Sequence, residues 1–359
     1  MRLVDELARR GHACLVVTNR PNASVPEAEE YHQTPVRRFD FYEAFRTHDM
    51  RTIRREFDAC HRVVEEFQPD VIHLNAHLRS LFYFVRQQRI RPRPAVMTLH
   101  DNYVFLPENG KCHSVLSHVD SLVAISDSIR RDALEYDRGL AGKLHLILNA
   151  LPLPEIAPKP LPRAQKILTF GRFVKEKGFD LPIQAFAPLI SRFPNARLTV
   201  AGDGWWGADL KALARKLGTG SRVQFPGWIA PDKVPELINQ HDIVIMPSRW
   251  KEPFGLVALQ TAQMGRPIIA ARIGGIPEIV VEGVTGKLFK PDSPASLQAA
   301  LKELLKNPKL CERMGRQARA HAVENFRFDR FVSAYENVYA GVCGAPKPQP
   351  ESLEPANGR

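Results

Sequence analysis

The sequence predicts an α/β protein made of two doubly wound halves, each a parallel sheet covered by helices. Three observations carry this. Short apolar runs alternate with helical stretches along most of the 359 residues, and such runs suit parallel strands buried on both faces. The length exceeds what a single core usually fills. Between the halves, Leu151 to Pro162 holds five prolines in twelve residues and reads as a linker.

Taken in order, the chain opens on a helix from Arg2 to Arg10, with Gly11 placed to end it. Strands are expected at Cys14 to Thr18, Val71 to Leu74, Ala95 to Leu99, Ser121 to Ile125 and Leu144 to Leu148. Beyond the linker they are expected at Lys166 to Phe170, Arg197 to Ala201, Val223 to Phe225, Ile243 to Met246 and Pro267 to Ala270. Phe331, Tyr335, Val338, Tyr339 and Val342 recur at helical spacing and predict a terminal helix. The expected divisions are an N-terminal Rossmann-like domain over 1–157, a second over 158–327, a helix over 328–343 packing back on the first, and a disordered tail over 344–359. A doubly wound domain normally begins with a strand, whereas this one begins with a helix. The N-terminal sheet is therefore expected to lack its first strand, and the start codon to lie upstream of Met1 or the chain to be a fragment.

Composition narrows the function. No apolar run approaches the roughly 18 residues a membrane span needs, and the charged N-terminus lacks a signal peptide's apolar core. Five scattered cysteines include no C-x-x-C pair, which favours a reducing cytoplasm over disulfides or zinc. Of the formal charge of +11, nearly all lies in the second half: residues up to 160 hold 22 Lys/Arg and 21 Asp/Glu, and the remainder 28 and 18. No nucleic-acid-binding signature accompanies that excess. A small polyphosphate ligand accounts for it more simply.

The motifs agree. Gly171 to Gly178, directly after a strand, combines glycines that admit a ligand with Arg172 and Lys177, which can reach a pyrophosphate from two sides. Ser248 to Leu256 follows another strand and leads into a helix; Glu252 stands at the strand's end, and the amides of Phe254, Gly255 and Leu256 are donors at the helix N-terminus. Gly274 and Gly275, followed by Ile276, Pro277 and Glu278, form a third loop able to expose amides. In the first half His100 and Asp101 end a strand, where a histidine can donate to a sugar hydroxyl and a carboxylate can orient it or take a proton. Ser126 and Asn149 mark two further loop positions expected to face the cleft.

Two patterns are set aside. Gly202 to Gly207 matches the dinucleotide fingerprint G-x-G-x-x-G, but the following strand ends in Pro226 and Gly227 rather than an acid for the ribose. No D-x-D occurs, so a carboxylate-held metal is not expected and positive side chains and helix ends must carry the donor's charge.

With these residues the chain resembles the family 4 glycosyltransferases, retaining enzymes of the GT-B fold, from about Leu3 to Tyr339. The matching blocks are Arg10 to His12, Asp70 to His73, Thr98 to Asp101, Val123 to Ser126, Asn149, Gly171 to Gly178, Gly202 to Gly204, Pro247 to Gln260 and Gly274 to Glu278. The resemblance implies that Arg172 and Lys177 neutralise a donor diphosphate, that His100 contacts the transferred sugar, and that Glu252 holds its hydroxyls. It places Gln260 where the family's second glutamate usually grips the ribose; glutamine keeps an acceptor and loses the charge. Gly171, Gly202, Gly274 and Gly275 complete the implied donor site.

The activity expected is transfer of a sugar from a nucleotide-diphosphate sugar to a hydroxyl acceptor, without cofactor or metal. The alternatives are a nucleotide-sugar epimerase, an inverting transferase using Asp101 as base, and a weakened binding protein. A weak peripheral membrane contact is also considered for Arg79 to Arg93, which carries five arginines, no acids and a run of apolar residues. That segment equally suits a helix whose aromatic side packs on the core.

Overall fold

The computed structural model describes residues 2–75, 78–102, 105, 113–162 and 165–344. The first half runs α1 (Arg2–Arg9), β1 (Val16–Asn19), β2 (Ala28–Tyr31), β3 (Thr34–Phe39), α2 (Phe41–Thr47), α3 (Met50–Phe67), β4 (Ile72–Asn75), α4 (Leu78–Ile90), β5 (Ala95–Leu99), α5 (His113–Leu116), β6 (Ser121–Ala124), α6 (Asp127–Tyr136) and β7 (Leu144–Leu146). The second runs β8 (Lys166–Phe170), α7 (Asp180–Phe186), β9 (Arg197–Ala201), α8 (Gly207–Lys216), β10 (Val223–Gly227), α9 (Val234–Asn239), β11 (Ile243–Met246), α10 (Leu256–Gln263), β12 (Ile268–Ala271), α11 (Ile276–Ile279), β13 (Gly286–Phe289), α12 (Pro294–Lys306), α13 (Pro308–Asn325) and α14 (Phe328–Gly344).

In the second half six strands form one sheet in the order β10-β9-β8-β11-β12-β13, all parallel. Strands β11 and β12 are wholly apolar and buried, because helices cover both faces. The order reverses between β8 and β11, and a crevice for a ligand opens at the carboxyl ends of strands at such a point.

The first half is not one sheet. Strands β4 to β7 form a parallel sheet in sequence order, while β1, β3 and β2 form a separate one in the order β1-β3-β2. Among the described residues β1 and β4 each pair with a single strand, so the two sheets stay separate. Two of the three strands in the smaller sheet, β2 and β3, were not expected. They form an antiparallel hairpin that turns through His32 and Gln33, both at positive φ, so the turn lacks the glycine or asparagine that would announce it. Strand β13 was missed as well; it is a short edge strand that begins with glycine.

The last helix returns to the first half. Tyr335, Val338 and Val342 of α14 are buried with Val96, Val123 and Ile147. A polar chain crosses that contact: Tyr339 Oη donates to or accepts from His73 Nδ1 at 2.7 Å, His73 Nε2 lies 2.8 Å from Thr98 Oγ1, and Thr98 Oγ1 lies 3.0 Å from Tyr335 Oη. Helix α14 is described as far as Gly344, and residues 345–359 of the expected tail lie outside the described residues.

Helix α4 places Leu81, Tyr83 and Phe84 in the interior, Tyr83 beside Phe41 and Phe57. These apolar residues are packed in the fold; the side chains of Arg79 and Phe82 lie outside the described residues. Among the described residues no helix is long and apolar enough to cross a membrane.

Candidate active site

Four loops meet at the carboxyl ends of the second sheet, and glycine lets them meet. A Cβ on Gly202 would stand 1.8 Å from the carbonyl oxygen of Gly171, so the loops after β8 and β9 approach backbone to backbone. Gly202 is thereby a packing residue of the site. Likewise a Cβ on Gly274 would stand 2.1 Å from the Glu252 carbonyl oxygen, and Gly275 N–H donates to that oxygen at 2.8 Å. The loops after β11 and β12 are thus fixed against each other.

Glu252 is the centre of this arrangement. It is 6% exposed, and its Oε1 accepts from Ser248 Oγ at 2.8 Å and pairs with the Lys177 ammonium. A buried carboxylate requires such partners. Lys177 belongs to the loop after β8, so the pair ties the two expected charge-bearing motifs directly together. Arg172 differs: it is exposed, and among the described residues no carboxylate pairs with it. Its guanidinium is available to an anion in the crevice.

The loop carrying Glu252 is held from behind by Arg249, whose Nη1 and Nη2 donate to the two oxygens of Asp180 at 2.6 and 2.8 Å and whose Nε donates to Asp292 at 2.6 Å. These carboxylates raise the Arg249 pKa still further above its ordinary value. The N–H groups of Arg249 and Trp250 donate to the Glu176 carbonyl. Sequence reasoning assigned no role to Arg249 or Ser248; both lie inside the motif it singled out, but nothing in their spacing reveals the partners. Helix α10 then begins at Leu256 after Gly255, which has φ of 114° and leaves the N-terminus without a side-chain cap. Phe254 is buried beneath it. Gln260 lies one turn into α10 and is half-buried.

Across the crevice, His100 follows β5 and its Nε2 meets Asn75 Oδ1, at the end of neighbouring β4, at 2.8 Å. The ring is accessible, yet partial desolvation lowers its pKa below the ordinary histidine value, a shift the Asp101 carboxylate opposes. The imidazole is therefore neutral at pH 7. Asn149, after β7, is half-buried and its N–H donates to the Ile125 carbonyl. Ser126 corrects the sequence reading: its side chain is 0% exposed and its Oγ caps α6 by accepting from Ile129 N–H at 3.1 Å. Capping, not acceptor contact, explains the serine.

The comparisons with known proteins fit this geometry. The model described as Glycosyltransferase Family 4 matches residues 1–153, and that described as Glycosyl transferases group 1 matches 155–321. A glycogen synthase from Mycobacterium tuberculosis is 31% identical over 307 residues, 79% of this chain and 72% of that protein. The chain belongs to glycosyltransferase family 4. This family 4 glycosyltransferase is also 36% identical to an N-acetyl-alpha-D-glucosaminyl L-malate synthase of Bacillus anthracis over 180 residues, 50% of this chain and 46% of that one. Among solved structures, sucrose-phosphate synthase from Thermosynechococcus elongatus superposes with a TM-score of 0.82 at 21% identity, covering 95% of this chain and 92% of that chain. HepE of Anabaena, solved in complex with UDP-glucose, gives 0.78 at 22% identity and 94% of each chain. At these identities the likeness establishes the fold, GT-B: two Rossmann-like halves.

Proposed function

We propose that this glycosyltransferase takes a sugar from a nucleoside-diphosphate sugar held by its C-terminal half and transfers it, with retention of configuration, to a hydroxyl acceptor held against the N-terminal half. The observation that carries the reading is the convergence of Arg172, Lys177 and the uncapped N-terminus of α10 on the switch point between β8 and β11. Breaking a sugar–phosphate bond builds negative charge on the leaving diphosphate. Donors already in place where that charge develops supply most of the stabilisation, and no metal is invoked.

Glu252 and Lys177 then act in turn. The diphosphate competes with Glu252 for the ammonium, and the carboxylate turned free accepts from hydroxyls of the transferred sugar. Gln260 offers its amide to the ribose without charge. With its Nε2–H given to Asn75 Oδ1, the neutral His100 ring offers Nδ1 as an acceptor to a hydroxyl of the sugar near the reacting carbon. The acceptor hydroxyl attacks on the face the diphosphate leaves, and the departing phosphate oxygen takes its proton, so no protein nucleophile is needed. Asp101 orients His100.

A screen of nucleotide sugars for thermal stabilisation identifies the donor, and proton NMR of the first product formed reads the anomeric configuration. Retention is expected. Inversion would refute the front-face arrangement and favour Asp101 as a base, and epimerised donor in the absence of acceptor would favour the epimerase.

A further inference from the structure

Two side chains of the candidate donor loops reach across to the first half, and both end on one helix. Glu278 lies in α11, and its Oε2 and Oε1 accept from the N–H groups of Asp127 at 2.7 Å and Ser128 at 2.9 Å. These are the first two amides of α6, which have no partner within the helix. With Ser126 taking the third, the whole first turn is satisfied, and a carboxylate at that end complements the helix dipole. The neighbouring Asp127 carboxylate does not repel it, since Arg130 holds that group at 2.6 and 2.8 Å and Arg131 at 3.2 Å. Further along α6, Asp132 pairs with the ammonium of Lys251, the residue before Glu252. Between the two contacts Ile129 is buried in the apolar cluster that contains Phe254, Ile276 and Ile279.

Because the loops after β11 and β12 are locked through Gly274 and the Glu252 backbone, they move as one body. Helix α6 is gripped at two points by that body. Both contacts are polar and join elements whose own hydrogen bonds lie within their halves, so they can break and re-form without unfolding either.

We infer that Glu278 and Lys251 are positioning residues that latch the two halves, with α6 as the catch, and so set the donor loops against the half that carries His100. Neither side chain is assigned to substrate. The inference rests on the donor site proposed above, and it makes release of the latch part of each catalytic cycle, since products leave when a cleft opens.

The test pairs small-angle X-ray scattering with kinetics and calorimetric titration of UDP and GDP, on the full chain. Glu278→Ala is expected to enlarge the radius of gyration and to lower kcat about tenfold while nucleotide affinity changes less than about twofold. Glu278→Gln keeps an acceptor and is expected to fall between. Lys251→Asp is expected to loosen the envelope, and Lys251→Asp with Asp132→Lys to restore both envelope and kcat. Unchanged scattering and kcat in Glu278→Ala would overturn the latch, as would nucleotide affinity that falls in step with kcat, or a charge swap that restores nothing. Should the unaltered protein bind neither nucleotide, the donor reading fails, and the scattering arm still decides the latch.

Discussion

The two halves share an architecture but are built to different tolerances. In the C-terminal half six strands form one continuous sheet, and four loops at its carboxyl end touch backbone to backbone through glycine. In the N-terminal half the seven strands among the described residues divide between two sheets, and His100 is held to the neighbouring strand through Asn75. On the function proposed above, binding a diphosphate needs fixed charges at fixed distances, which demands a rigid frame, while presenting an acceptor can be left to looser elements.

The sharpest way to break this contrast is to add one methyl group to each half. Gly202→Ala meets the Gly171 carbonyl at 1.8 Å and is expected to destabilise by about 4 kcal/mol or more. Gly11→Ala, also at positive φ but with nothing within 4 Å, should cost only about 1 kcal/mol. Urea denaturation of both variants checks this, and equal effects would remove the claim of unequal tolerance.

Next in size, Arg172→Ala and Lys177→Ala should each lower kcat/KM by about 10²–10³, or about 3–4 kcal/mol of transition-state stabilisation. Lys177→Ala also strands the buried Glu252 carboxylate, so its melting temperature should fall where that of Arg172→Ala does not.

A third measurement probes the seam between α14 and the N-terminal half. Burial, aided by the nearby His100, holds the His73 pKa down to about 4 from 6.5. A histidine depressed in the folded state contributes stability that is complete above the unfolded pKa. That stability is lost as pH falls from about 6.5 toward 4, to a total of about 3 kcal/mol. His73→Gln should flatten the stability profile in this window relative to the unaltered protein. A slope identical in both would place the acid sensitivity elsewhere.

The smallest effect expected is that of Asn75→Ala. Freeing His100 from one hydrogen bond of about 1 kcal/mol should lower kcat a few-fold and leave nucleotide affinity unchanged.

The same difference in tolerance decided how much was legible in the sequence. Strands β5 and β11 were placed to the residue because each is a short apolar run buried throughout, and β8 and β9 because each is a mostly apolar run with a basic residue at its start. Strand β2 was invisible because Ala28 to Tyr31 are all exposed and half of them charged, and β3 because Pro35, Arg37 and Arg38 interrupt its apolar pattern. At the site, Glu252 and Lys177 could be named from their motifs, but not that they pair. The roles of Ser126, Arg249 and Glu278 were hidden for one reason: each depends on a partner far away in sequence or on a helix end, and spacing does not encode that.

The return of α14 has a mechanical consequence. The chain passes between the halves twice, once through Leu151 to Pro162 and again between Asn325 and Phe328. A body joined to another at one point swings in any direction, whereas a body joined at two turns about the line through both. Two crossings therefore leave the halves fewer ways to move against each other than a single linker would.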